Sequence, residues 1–574
     1  MSGLRSVIFK NKYLILILFF AAVLRFWKID RVPVSLFSDE LDVGYQAYSI
    51  IKTGKDYFGN LIPLHFQSYA DFRTPFYIYS SVPTVAVFGI SPFGVRLPAV
   101  IFGVFGVWGI YLLAKEIFKD EKLGILASLF LAISPWHLQY SRAAFEATML
   151  LAFLLFGLYF FFRSLSDGKY LWVSVLLLIS TPLIYSTAKL FTPLLIITML
   201  LLYKKELFNL TKKYVIYAVV AAVIFGLPTF YSTLFQGVGE RFSYISVFTD
   251  PTTKGEVETL KLDDAKMREK YGGDVLQRGM SRLIHNKPVI WTEMIINNYL
   301  KTFSTEFLFN EGDPNLRHSI KGIGQFYKVE VFALIMGSVL FFTSKVERKR
   351  KILIAFWILV GILPSSITRD GGNHATRLIL ILPPLVFLNS FGIMKLYGIT
   401  GKRSGLVLPT SYFLLLTINF IFYWHIYWIH NPWYSERWWN AGYKEVIEAV
   451  KENENKYGKI ILSNANDDPR IFLAAYYPYE PEIWQKEMEQ ENVAGFGNLQ
   501  NIDKFYFGQV DGEIGIDNVS EFLGKSTLYI AASREVEGNL IMEPNKIPKG
   551  LALVRTVSYP SEEPAFYLFE RNDK

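Results

Sequence analysis

Apolar runs of about 15 to 24 residues recur from residue 13 to residue 428. A helix rises 1.5 Å per residue, so a hydrocarbon core of about 30 Å takes about 20 residues, with about 17 as a lower limit. Runs of this length predict spans near 13–29, 97–114, 123–139, 146–162, 170–185, 189–203, 214–231, 328–344, 352–368, 377–394 and 405–428. Of the 574 residues 51% are apolar and 19% charged. A soluble protein carries about 25% charge, and no single soluble globule hides this much apolar surface. The fold class is therefore a polytopic α-helical membrane protein. The same composition excludes disorder and collagen-like chains. With no cysteine, disulfides, thiolate metal sites and cysteine nucleophiles are excluded too. The net charge of +8 belongs in cytoplasmic loops rather than against nucleic acid.

Segment 74–90 contains Pro75 and Pro83 and is apolar enough to span. Charge decides its placement. If it lies along the interface, the segments on the N-terminal side (1–12, 115–122, 163–169, 204–213, 345–351 and 395–403) hold twenty Lys and Arg. The short opposite loops hold four: Arg142, Lys189, Arg369 and Arg377. If it spans, KVERKRK faces outward, against the positive-inside rule. The sequence thus predicts eleven spans, a cytoplasmic N-terminus and an extracytoplasmic C-terminus in the plasma membrane. It gives a transmembrane module over 1–428, with outer loops 28–96 and 232–327, and an α/β domain over 429–574. Strand-like runs at 459–465, 504–510, 527–533 and 565–571, after a charged helix near 442–455, support the last.

Chemistry-bearing residues gather at the predicted outer boundary. Asp39 and Glu40 lie about ten residues past the first span. One carboxylate can face a site while the other holds an Arg or a metal, and a desolvated one can serve as a general base. A solvated loop pair is the competing reading. Arg142 and Glu146 are spaced as an i, i+4 ion pair, or Arg142 is a phosphate ligand. Arg73, Arg96, His374 and Arg377 complete a cationic rim able to hold a lipid phosphate, or they are interface anchors. Asp313 and His318 lie in a turn near the next span. They form the one loop site with a metal reading, although no two-His spacing supports it. No motif requires a cofactor, no metal site is assigned, and a divalent metal stays open. P-loops, GxSxG elbows and HExxH are lacking where they could work.

In the order Asp39-Glu40, DFRTPFYIY…FG…VRLPAVIFG, SPWHLQYSRAAFEA and HATRLILILPP, the chain resembles the GT-C glycosyltransferases of the protein O-mannosyltransferase and lipid A aminoarabinose transferase superfamily over residues 10–395. The resemblance implies a juxtamembrane helix between the first two spans. It also implies inverting transfer of a sugar from a polyprenyl-phosphate donor to an acceptor on the outer face. Asp39 matches the family's catalytic base and Glu40 the second acid. Arg96, Arg142 and Arg377 fall where relatives keep basic residues near the donor phosphate. The chain departs from the pattern in having Arg73-Thr74-Pro75 for Lys-Pro-Pro or His-Pro-Pro, and Glu146 for Asp. The acceptor is left open among glycan, lipid and protein. An oligosaccharide ligase or polymerase, and a lipid or solute transporter, are the competing readings; the transporter would show inverted repeats and broken midplane helices, which the sequence lacks.

Overall fold

A computed structural model describes residues 11–69, 72–235, 240–272, 275–399, 407–486 and 488–572. Residues 1–10 and 400–406, which carry part of the charge argument for orientation and the start of the span 405–428, lie outside the described residues.

Every expected membrane segment carries a helix. In the first part of the chain these are α1 (Lys12–Phe26), α2 (Ser38–Thr53), α3 (Pro75–Phe88), α4 (Pro92–Phe118), α5 (Glu121–Ile133), α6 (Pro135–Ser141) and α7 (Ala147–Ser164). Next come α8 (Leu171–Ser180), α9 (Ala188–Leu202) and α10 (Lys212–Phe235). The segment 232–327, expected as an outer loop, carries α11 (Glu240–Ile245), α12 (Thr252–Tyr271), α13 (Val275–Ile284) and α14 (Lys287–Lys301). Then follow α15 (Glu330–Thr343), α16 (Arg348–Gly361), α17 (Ala375–Leu396) and α18 (Val407–His425). Among the described residues α4, α7, α17 and the run Val407–Tyr434 are long and apolar enough to cross a membrane alone.

The expected straight span 123–139 is broken: α5 and α6 meet at 61°. Pro135 cannot donate the amide that would continue α5, and the Ser134 hydroxyl caps α6 instead. The segment 170–185 is likewise split at Pro182 into α8 and a short 3₁₀ turn. Segment 74–90 forms α3, packed against α2 and α4. Close packing elsewhere depends on glycine. A Cβ on Gly337 would fall 1.9 Å from the Leu388 carbonyl oxygen, and one on Gly392 would fall 2.2 Å from that of Ala333, so α15 and α17 touch backbone to backbone.

The tail folds as α19 (Tyr443–Asn453), β3 (Lys459–Leu462), α20 (Pro469–Tyr476) and six further strands, the hairpin β1 (Phe66–Gln67) and β2 (Phe72–Arg73) having come earlier. The strands are β4 (Glu489–Val493), β5 (Gly497–Ile502), β6 (Phe505–Phe507), β7 (Thr527–Ala532), β8 (Leu551–Ser558) and β9 (Pro564–Arg571). Their order is β4-β5-β6-β3-β7-β9-β8, with β6, β3 and β7 parallel and the remaining pairs antiparallel. The parallel strands are covered on both faces, which is why KIIL and TLYIAA read as unbroken apolar runs. β4 is polar and exposed and β5 is half-buried with only Leu499 and Ile502 apolar, so the apolar pattern gave little signal for them. One hydrophobic core runs without interruption from the membrane helices into this sheet.

Candidate active site

Ser38, Asp39 and Glu40 open α2 after an extended Phe37. Acids in a first turn meet unpaired amides and the positive end of the helix dipole, which favours both the helix start and the charged carboxylates. Successive residues on a helix diverge by about 100°, so the two acids face different ways. Glu40 is fully buried (0% exposed) and grips Arg96 through two bonds of 2.8 Å, while accepting from the Ala144 amide at 2.8 Å. Asp39 is half exposed (51%) and borders a cavity of about 600 Å³. The desolvated member of the pair is thus Glu40, and it faces an arginine rather than the cavity.

Asp42 lies three residues after Asp39, on the same helical face. Arg73, placed by the β1–β2 register, bridges the two acids: Nη2 meets Asp39 Oδ1 at 2.5 Å and Nε meets Asp42 Oδ2 at 2.5 Å. The Tyr57 hydroxyl donates to Asp42 Oδ1 at 2.5 Å and holds that end of the clamp. Thr74 donates to the Ile184 carbonyl at 2.6 Å, anchoring the start of α3 beside the cavity.

The cavity wall carries four cations, Arg73, Lys189, Arg317 and Arg377, against two acids, Asp39 and Glu146. Aromatic rings of Phe37, Phe145, Tyr185 and Phe242 fill the spaces between them. Arg377 donates from Nη1 to the Thr368 hydroxyl at 2.7 Å and to the Arg369 carbonyl at 3.0 Å. Arg317 lies over the Phe37 ring at 4.8 Å. The segment holding α11 is pinned to the loop before α17 by Arg369 N to Ile245 O (2.8 Å) and Val247 N to Ile367 O (3.1 Å), which brings Phe242 and Ile245 over the cavity.

His318 and His374 also line the cavity and meet at Asp313. His318 Nδ1 lies 2.9 Å and His374 Nδ1 4.0 Å from Asp313 Oδ2, which also accepts from the Ala375 amide at 2.8 Å. Burial opposes the Asp313 charge, but the hydrogen bond from His318 and the two imidazoles outweigh it and hold the carboxyl below its ordinary range. Burial, reinforced by Arg377 and His318, pushes His374 well below its ordinary value. The missing two-His spacing was a property of the chain and not of the fold.

Residues 73–231 match the family model described as dolichyl-phosphate-mannose-protein mannosyltransferase. The whole chain is similar to ArnT from Cupriavidus metallidurans, solved bound to undecaprenyl phosphate: TM-score 0.51 and 12% identity, over 97% of this chain and 98% of that one. It is also similar to the oligosaccharyltransferase of Archaeoglobus fulgidus in the apo form, with TM-score 0.50 and 11% identity over 92% of this chain and 70% of that one. The chain therefore has the overall fold of these two proteins. Among curated proteins none matches the sequence significantly.

Within this fold two of the expected rim residues lie elsewhere. Arg96 is fully buried; besides Glu40 it bonds the carbonyls of Ile29, Pro33 and Ser35. Arg142 is also fully buried. It donates to the Tyr427 hydroxyl and to the carbonyls of Leu24, Arg25, Trp27, Lys28 and Val32. Carbonyls at a helix C-terminus have no intrahelical partner, so Arg142 closes the end of α1 and the turn after it. The i, i+4 pair with Glu146 does not form, because the helix is interrupted between Ser141 and Ala147. Glu146 stands at the cavity wall on its own element. Sequence reasoning passed over Lys189 and Arg317 as site residues. The signal for Lys189 was its being one of few cations on the predicted outer side, and for Arg317 its place beside His318.

Proposed function

We propose that the protein transfers a sugar from a polyprenyl-phosphate donor to an acceptor hydroxyl, with inversion, on the outer face of the membrane. The observation that carries this reading is one half-exposed carboxylate, Asp39, in a cavity whose other charges are mostly cationic. The ArnT structure with undecaprenyl phosphate and the mannosyltransferase family match support the donor class. A cavity of this size suits a drug-sized ligand, about 300–1,000 Å³, and so takes a sugar phosphate head group.

In this mechanism Asp39 takes the acceptor hydroxyl proton as the oxygen attacks the anomeric carbon. The carbon–oxygen bond to phosphate breaks on the opposite face, and its electron pair leaves with the polyprenyl phosphate. Lys189, Arg317 and Arg377 stabilise the charge that develops on that phosphate. Arg73, held by Asp42, keeps Asp39 aimed. Glu40 and Arg96 act beneath this layer by setting the direction of α2. One carboxylate suffices for inversion, since no glycosyl-enzyme forms.

The test is transfer from labelled polyprenyl-phosphate sugars in nanodiscs, with product anomeric configuration read by NMR. Asp39→Asn should lose about 10²–10⁴-fold in kcat while still binding donor. Unchanged kcat in Asp39→Asn removes its role as base, and no binding of any polyprenyl phosphate removes the donor class.

A further inference from the structure

We propose that Asp313, His318 and His374 bind one divalent cation of the zinc type, with the remaining coordination position turned toward the cavity. Each side chain offers one ligand atom, and all three atoms lie within 4.8 Å of one another. Zinc bonds to imidazole and carboxylate run about 2.0–2.2 Å, which puts tetrahedral ligand atoms about 3.3–3.6 Å apart. The cluster therefore needs only about an ångström of closure, and both histidines border the cavity into which a fourth ligand would come. Two histidines and one carboxylate with an open position is the ligand set of catalytic zinc.

The surroundings are those of a metal site rather than of a simple turn. His374 Nδ1 is buried and makes no hydrogen bond among the described residues, though it sits 4.0 Å from Asp313 Oδ2. Asp313 is oriented by backbone amides: Asn315 N donates to Oδ1 at 2.8 Å and Ala375 N to Oδ2 at 2.8 Å. Its own amide is tied to Ser319, which Gln325 also holds. Tyr140 and Phe145 pack the His318 ring. Such an outer layer sets ligand direction and tautomer. On binding, His318 exchanges its Nδ1 contact with Asp313 for the cation. Arg317 and Arg377 share this wall of the cavity, so the cation would complement a donor phosphate. That role rests on the function proposed above; the site itself does not.

The test uses full-length protein purified without a histidine tag, stripped with chelator and titrated with Zn2+ and Co2+. About one Zn2+ per chain is expected, with the visible d–d absorption of low-symmetry Co2+. His318→Gln and His374→Gln should each weaken Zn2+ by more than about 100-fold, beyond the loss of an outer partner, while His430→Gln binds as wild type. Substoichiometric binding by wild type, or undiminished binding in both cluster variants, overturns the proposal. A pH–rate shift in His318→Gln without Zn2+ binding would overturn it in favour of an Asp–His proton relay. Zn2+ binding with transfer indifferent to chelator keeps the site and refutes its role toward phosphate. Zn2+ binding without any polyprenyl-phosphate transfer keeps the site and refutes the proposed function.

Discussion

Replacing Glu40 by glutamine separates the two neighbouring acids by what each does. Glu40 and Arg96 are both fully buried and joined by two 2.8 Å bonds. Removing one charge of such a pair leaves the other uncompensated and costs about 3–5 kcal/mol. Asp39 meets Arg73 at 2.5 Å, but its carboxylate is half exposed, so solvent screening reduces that pair to about 0.2–1 kcal/mol. A chain with many helices unfolds irreversibly, and the suitable assay is therefore the half-life of monodisperse protein in detergent at elevated temperature. A loss of 3 kcal/mol, falling wholly on unfolding, shortens that half-life about 10²-fold for Glu40→Gln. Asp39→Asn should change it less than about fivefold while lowering kcat about 10²–10⁴-fold. Arg96→Gln paired with Glu40→Gln should lose less than the sum of the singles. A Glu40→Gln protein with wild-type lifetime and no transfer would refute this division and give Glu40 a chemical role.

Tyr57→Phe removes a charge-assisted donor from Asp42, loosening the far end of the Arg73 clamp. It should lower kcat several-fold with donor KM nearly unchanged, and Asp42→Asn should do so more strongly, both read by steady-state kinetics. Lys189→Gln and Arg377→Gln each remove a cavity cation and should lower kcat about tenfold or more, with smaller rises in donor KM. Asp467 is pushed above the ordinary carboxylate range by burial, opposed by bonds from the Asp468 amide, Ser38 and Asn440 and by the charge of Arg317. The folded state therefore holds this proton more tightly than the unfolded chain. The group's stabilising contribution is present in acid and lost as pH rises through its folded value. Asp467→Asn should flatten the difference in thermal half-life between mild acid and neutrality relative to wild type.

The membrane helices were legible because apolar run length is a local property. Direction was not. Arg73, Arg96 and Arg142 all fall at similar predicted depth, and depth is what the sequence reports. Arg96 and Arg142 lie among backbone carbonyls of the turn between α1 and α2, a concave set of acceptors assembled only in three dimensions. The Asp313–His374 approach spans 61 residues of chain and so left no spacing to read. The bend at Ser134–Pro135 was visible as a proline, but an apolar window averages over it.

These same contacts explain why the α/β tail is part of the site's support rather than an appendage. From below, Arg96 and Arg142 gather the segment between α1 and α2. From outside, α20 packs along α2, and the Tyr45 hydroxyl donates to the Tyr479 carbonyl at 3.0 Å. Trp484 donates to the Tyr69 hydroxyl at 2.8 Å, and Gln485 to the Asp56 carbonyl at 2.8 Å. Trp439 meets the Phe37 ring edge-on at 5.3 Å, with the Arg96 guanidinium over its face. Asp39 is aimed by Arg73 and by the helix that carries it, α2. That helix is held by a buried ion pair on one side and by the tail on the other.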